Sequence, residues 1–136
     1  MTEVVHESCD VCENYWRTFR ERDVLPYLPH VERSEWAERL FRDYVAKDAP
    51  LTEIGCGSGR NLAYLHSQGY SNLYAVEIGD IPLQIFEREF PDAYAATRLF
   101  HGRIEDALEN WQFERPRLVF TMAVLMHVHP DVDCLS

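Results

Sequence analysis

Apolar positions along the chain change their spacing near Pro50, and the sequence falls into two textures on either side of it. Before Pro50 the spacing is helical. Tyr15, Trp16, Phe19 and Val24 predict a helix over residues 11–24, ended by Leu25-Pro26-Tyr27-Leu28-Pro29 because proline cannot continue the backbone ladder. A second helix starts from Ser34 as its cap, carries Trp36, Leu40, Phe41, Tyr44 and Val45 on one face, and closes at Lys47-Asp48-Ala49-Pro50. After Pro50, short apolar runs alternate with helical segments. The pattern predicts a strand at 51–54, a helix at 62–66, a strand at 73–76 and a helix at 81–90. A weaker strand at 98–101, a short helix at 105–111 and a strand at 117–122 continue it. Such alternation implies an α/β fold with a doubly wound parallel sheet, right-handed crossovers and helices on both faces. Leu118-Val119-Phe120, apolar without alternation, fits a strand buried on both faces.

Composition narrows the classes. The chain has 136 residues, the length of about one domain. Its 46% hydrophobic and 12% aromatic content is too apolar for intrinsic disorder. The net charge of −10 argues against a nucleic-acid partner or an anionic lipid surface, which require clustered Lys and Arg. Residues 1–10 read as a tail with no secretory signal, and the longest mostly apolar run, 118–128, is too short to span a bilayer. These features predict a cytoplasmic protein with no membrane partner. Cysteines 9, 12, 56 and 134 form no disulfide framework for that compartment, and one Cys9-x-x-Cys12 pair without a second pair is an incomplete metal motif, so no metal is expected.

The chemistry concentrates in LTEIGCGSGRNL, where an apolar strand leads through Glu53, Gly55, Gly57 and Gly59 directly into a helix. Glycines there let backbone approach a ligand closely, and free N–H groups at the helix start can face its polar atoms. A dinucleotide fingerprint would carry a small residue at position 60, where this chain has Arg60. Glu77 ends the next predicted strand, 22 residues after Gly55, at the place where a ribose-binding acid belongs in doubly wound folds. Ile78 follows as an apolar surface for a base. A tight strand-to-helix turn with a solvated acid is the plainer alternative.

With the acid, the G-x-G-x-G spacing and the strand-end acid together, the sequence resembles the class I S-adenosylmethionine-dependent methyltransferases. GRNLAYL and FTMAVLMHVHP resemble the small type-11-like members, and the resemblance covers roughly residues 33–130. It implies a Rossmann-like core at 48–136, preceded by a tail and helices at 1–47, with S-adenosylmethionine as cofactor and a small-molecule methyl acceptor. It further implies that Glu53 holds the first loop and the cofactor's amino group, with Gly55, Cys56, Gly57, Gly59 and Asn61 around the methionine and ribose portions. Glu77 would grip the ribose. Ile78, the Ile104 backbone and Glu105 or Asp106 would meet the adenine, and Thr121 and Met122 would lie beside the methionine part. Relatives often carry Asp where this chain has Arg103. No catalytic residue is assigned, since His127 and His129 read first as imidazoles fixing the turn after the fourth strand.

The family's strand order is 3-2-1-4-5-7-6, so the resemblance implies that this chain supplies the 3-2-1-4 half and is C-terminally truncated. A bare fourth-strand edge would then seek a partner, most simply in a homodimer. A non-catalytic S-adenosylmethionine-binding or nucleoside-binding module, needing a partner or the missing strands, is the alternative to a complete enzyme. A nicotinamide-dependent enzyme is disfavoured by Arg60.

Overall fold

Leu51, Leu73 and Ala75 are wholly withdrawn from solvent, and they mark the centre around which the chain is organised. The computed structural model describes residues 9–18, 20–24 and 35–122. In chain order these form α1 (Cys9–Arg17), α2 (Glu21–Val24), α3 (Glu35–Phe41), β1 (Leu51–Ile54), α4 (Arg60–Ser67) and β2 (Leu73–Glu77). Then follow α5 (Asp80–Glu89), α6 (Pro91–Ala96), β3 (Thr97–His101), α7 (Ile104–Glu109) and β4 (Leu118–Thr121). All strand pairings are parallel and the order is β3-β2-β1-β4. The fold is therefore the doubly wound, Rossmann-like arrangement that the alternating pattern implies, with β1 paired to β2 on one side and β4 on the other.

Strand residues alternate between the two faces. One face turns Leu51, Leu73 and Ala75 toward Leu62 and Leu65 of α4, Leu83 and Phe86 of α5, Ala93 of α6, and Phe41 and Val45. Phe86 and Tyr94 meet edge to face at 5.3 Å between centroids. On the opposite face Tyr74 packs on Trp111 and Phe113, the residues just after α7. Val119 on β4 is 50% exposed on that side. The expectation that β4 is buried on both faces is thus corrected: among the described residues, the α7 side covers β2 and leaves β4 open.

Three local expectations are also corrected. The single helix expected at 11–24 is two helices, Cys9–Arg17 and Glu21–Val24; at the end of the first, the Thr18 N–H and hydroxyl both donate to the Asn14 carbonyl, at 3.0 and 2.8 Å. The apolar stripe of the second helix divides, since Phe41 and Val45 are buried while Leu40 and Tyr44 are 59% and 82% exposed. The helix ends at Phe41, whose carbonyl accepts both Tyr44 N–H (2.9 Å) and Val45 N–H (2.7 Å), so later residues do not continue its face. Finally, α6 was not expected at all. Pro91 stands at its start, where a missing N–H costs nothing and the fixed φ favours helix. The expected Ser34 cap, Phe19 and the Pro26–Pro29 stop lie outside the described residues.

Candidate functional site

In an open parallel sheet the crevice at the carboxyl ends of the strands opens where strand order reverses, here between β1 and β4. The glycine turn lies at that place. Gly55, Gly57 and Gly59 have φ of 71°, 56° and 74°, values that cost other residues backbone strain. Gly55 N–H donates to the Val76 carbonyl at 2.7 Å, which hangs the turn on the tip of β2. The other two glycines serve different ends. A Cβ on Gly59 would lie 2.2 Å from the Phe86 ring, so this glycine admits the core. A Cβ on Gly57 would meet nothing within 4 Å, so here the backbone borders open space.

Glu77, at the end of β2, clasps the turn. Its Oε2 accepts Gly57 N–H at 2.7 Å, and its Oε1 accepts Ile78 and Gly79 N–H at 2.9 and 2.8 Å. The Glu77 carbonyl accepts Gly102 N–H at 2.8 Å, which draws the turn after β3 into the same cluster. Each carboxylate oxygen can take two hydrogen bonds, so Oε2 keeps one lone pair free.

Glu53, on β1 beneath the turn, is 1% exposed. Asn61 Nδ2 donates to its Oε1 at 2.6 Å, whereas Oε2 is buried without a hydrogen-bond partner among the described residues. Burial lifts its carboxyl to about 8, against weaker lowering by Asn61 and by the charge of Arg60, so Glu53 is neutral at pH 7. Cys56 turns into the core. Burial raises its thiol well above the ordinary value, with Glu77 and Glu53 adding to the shift, and this leaves no reactive thiolate.

The remaining expected residues ring this centre with fewer ties. Ile78 is half-buried and offers its N–H to Glu77. Ile104 opens α7, and Glu105 Oε1 lies 3.5 Å from Arg103 Nη2. Arg103 Nε also reaches Glu13 Oε2 of α1 at 3.3 Å. Thr121 stands beside Ile54 in register, its Oγ1 buried and unpartnered among the described residues, and Met122 is 41% exposed. His127, His129, Cys134 and the side chains of Cys9 and Cys12 lie outside the described residues. Gly79 was missed by sequence reasoning. A Cβ there would approach Pro82 at 3.0 Å and the Trp16 carbonyl of α1 at 3.2 Å; the available signal was a glycine two positions after the strand-end acid.

A family model described as "Methyltransferase domain" matches residues 52–136, which include the glycine turn, Glu77 and β4. The chain belongs to that family. No curated protein matches this methyltransferase-domain chain. Solved structures do match it. Magnesium protoporphyrin IX methyltransferase from Synechocystis PCC 6803 with bound SAH has a TM-score of 0.61 at 12% identity, over 89% of this chain and 61% of that one. The same protein with bound SAM gives 0.63 at 13%, over 98% and 69%. DesVI from Streptomyces venezuelae gives 0.58 at 16%, over 86% and 49%. An S-adenosylmethionine-dependent methyltransferase from Thiobacillus denitrificans, in complex with S-adenosyl-L-homocysteine, gives 0.57 at 14%, over 93% and 48%. At these identities the likeness is one of fold, and the chain spans about half to two thirds of the length of these proteins.

Proposed function

We propose that this chain binds S-adenosylmethionine at the glycine turn and is the cofactor-binding part of a methyltransferase for a small-molecule acceptor. The supporting observation is the turn itself: Gly57 borders open space while Glu77 clasps it, and Glu53 below keeps a buried oxygen with no hydrogen-bond partner among the described residues. An orphaned buried polar atom is costly unless something pairs with it, and the ammonium of this cofactor is a suitable partner. The residues fit the group. Glu77 would meet the ribose hydroxyls with the free lone pair of Oε2 while its other bonds hold the turn. Ile78 and the start of α7 at Ile104 would flank the adenine, with Glu105 near its edge, and Thr121 and Met122 would adjoin the methyl-bearing end.

When bound, the cofactor supplies an activated sulfonium methyl, so the protein's task is chiefly to hold an acceptor nucleophile in line with it. No helix among the described residues is long and apolar enough to cross a membrane, which accords with the proposed cytoplasmic setting. Calorimetric titration with S-adenosylhomocysteine and with NADH tests the reading: saturable binding of the first and none of the second is expected, and the reverse would refute it.

A second reading keeps the cofactor and drops the turnover. The chain covers about half of some matched proteins, and a module of that size can bind without completing an acceptor pocket. Binding with no methyl transfer across a panel of acceptors would favour it. We propose further that β4, an edge strand among the described residues, with Val119 on it and Met122 just after it exposed, pairs two copies across a two-fold axis. Light scattering over a dilution series should then show a dimer, and a monomer at every concentration would exclude it.

A further inference from the structure

Two loops bound the crevice at its β2 and β3 end, one through Ile78 and Gly79 and one through Gly102 and Arg103. Helix α1 lies against both. A Cβ on Gly79 would stand 3.2 Å from the Trp16 carbonyl of α1 and 3.0 Å from Pro82. The φ of −84° at Gly79 suits any residue, so its missing side chain serves to make room. On the other loop, Arg103 Nε meets Glu13 Oε2 of α1 at 3.3 Å while its Nη2 meets Glu105 Oε1 at 3.5 Å. An acid at this position, as relatives often carry, would repel Glu13 where Arg103 holds it. Little else fastens the helix. Val11 and Tyr15 on α1 are 49% and 57% exposed, and the next tie along the chain is another open ion pair, Glu21 Oε1 of α2 to Arg88 Nη1 of α5 at 2.8 Å. Ion pairs this open to water are weak, so α1 rests on the two loops without being locked to them.

We propose that α1 is a detachable wall of the nucleoside end of the pocket, latched by Arg103 to Glu13, and that a bound nucleoside and a docked α1 stabilise each other. Ile78 and Ile104, which flank the adenine in the reading above, are the chain neighbours of Gly79 and Arg103. A ligand between them steadies the two loops that α1 joins. A weakly docked helix is shifted by a modest difference in affinity, and because such coupling is reciprocal, loosening α1 weakens the ligand. Arg103 is then a positioning residue that acts through Glu13. The inference rests on the cofactor reading, yet α1 can prove indifferent to a ligand that still binds.

Hydrogen exchange of the α1 amides, measured with S-adenosylhomocysteine, adenosine or L-homocysteine, tests the coupling. Saturating S-adenosylhomocysteine and adenosine should each slow exchange in α1, and L-homocysteine, which lacks the nucleoside, should not. Glu13→Gln should remove much of that protection and weaken S-adenosylhomocysteine by about twofold to fivefold in calorimetry, the range of one partly exposed ion pair. High salt should narrow the gap between the variant and the wild type, since it screens the latch. Arg103→Lys keeps the charge and should retain most of the affinity. Arg17→Met cuts the 2.8 Å pair between Glu13 and Arg17 within α1, leaves the latch, and should retain nearly all of it. Unchanged α1 exchange in a chain that binds S-adenosylhomocysteine, or binding by Glu13→Gln as tight as the wild type's, would overturn the inference and leave the cofactor reading standing. Tighter binding by Glu13→Gln would overturn it too, by making α1 a cover that the ligand must displace. No binding of S-adenosylhomocysteine or adenosine by the wild type would overturn both.

Discussion

At the N-terminal ends of β2 and β3, Arg98 Nη1 donates to Asn72 Oδ1 (3.0 Å) and Tyr74 OH (2.8 Å), and Tyr74 OH donates to Glu114 Oε2 (3.4 Å). These groups line an open cleft of about 530 Å³ together with Asp48, Gln112 and Phe113. At the opposite ends of the strands, Glu77 and Glu53 sit under the glycine turn. Both regions hold charged and hydrogen-bonding side chains, and the N-terminal cleft is roomy. They differ in how those side chains are satisfied. Arg98 and Glu114 face water, which can complete any bond the protein leaves open, whereas Glu53 is 1% exposed and one of its oxygens has no substitute for a partner. Volume and polarity alone would favour the cleft, but unsatisfied burial and left-handed backbone point to the turn.

The largest effect should come from closing the turn against the core. Gly59→Val places a Cβ against Phe86 at a φ of 74°, combining overpacking with left-handed strain, and should cost about 2–5 kcal/mol by urea denaturation. Gly57→Ala carries only the strain, about 1–2 kcal/mol, and should lose ligand affinity while staying folded. Equal destabilisation by the two would show that the glycines share one role.

Glu53 gives the next effect, read by pH. Its carboxyl is raised from an ordinary 4.5 to about 8 by burial, so between these values the unfolded chain ionises while the folded chain holds its proton. The folded state then binds more protons, and its stability should fall as pH rises from about 4.5 to 8 and level off above. Glu53→Gln should flatten that slope in denaturation curves taken across the range. A slope unchanged by the substitution would mean that Glu53 titrates normally and that the two ends of the sheet are alike in burial.

Glu77→Ala should weaken S-adenosylhomocysteine binding by about tenfold to a hundredfold and also loosen the turn, since three backbone N–H groups lose their acceptor. Calorimetry beside amide exchange at Gly57 and Gly79 measures both. Unchanged exchange would separate the ribose role from the clasp. The smallest effect belongs to the other end: Arg98→Met should change stability by less than about 1 kcal/mol and leave ligand affinity intact. A lost affinity there would bring the cleft into the function.

The glycine turn and the strand-end acid were legible because their signals are local: residues 51–59 and 73–77 each carry their own punctuation. Glu77 could be placed at a strand tip from spacing, but its grip on Gly57 depends on two strands lying side by side, which spacing does not encode. The protonation of Glu53 was illegible for a similar reason, because it follows from what α4 covers. Pro91 drew no reading from the sequence and starts α6, because proline at a helix's first position marks an element only once the backbone around it is known. Arg60 was noticed only for what it excluded.

Leu51 pairs with Leu73, 22 positions on, and with Leu118, 67 positions on. Closing the longer loop costs roughly 1 kcal/mol more in chain entropy, so β1 should meet β2 before β4 as the protein folds. The clasp between Glu77 and Gly57 belongs entirely to the earlier pairing. Hydrogen exchange should accordingly find β2 amides slow and β4 amides fast, with the turn protected as part of the slower unit. The pocket floor would then persist through openings that release β4, so ligand could enter through the side of the sheet that unzips first.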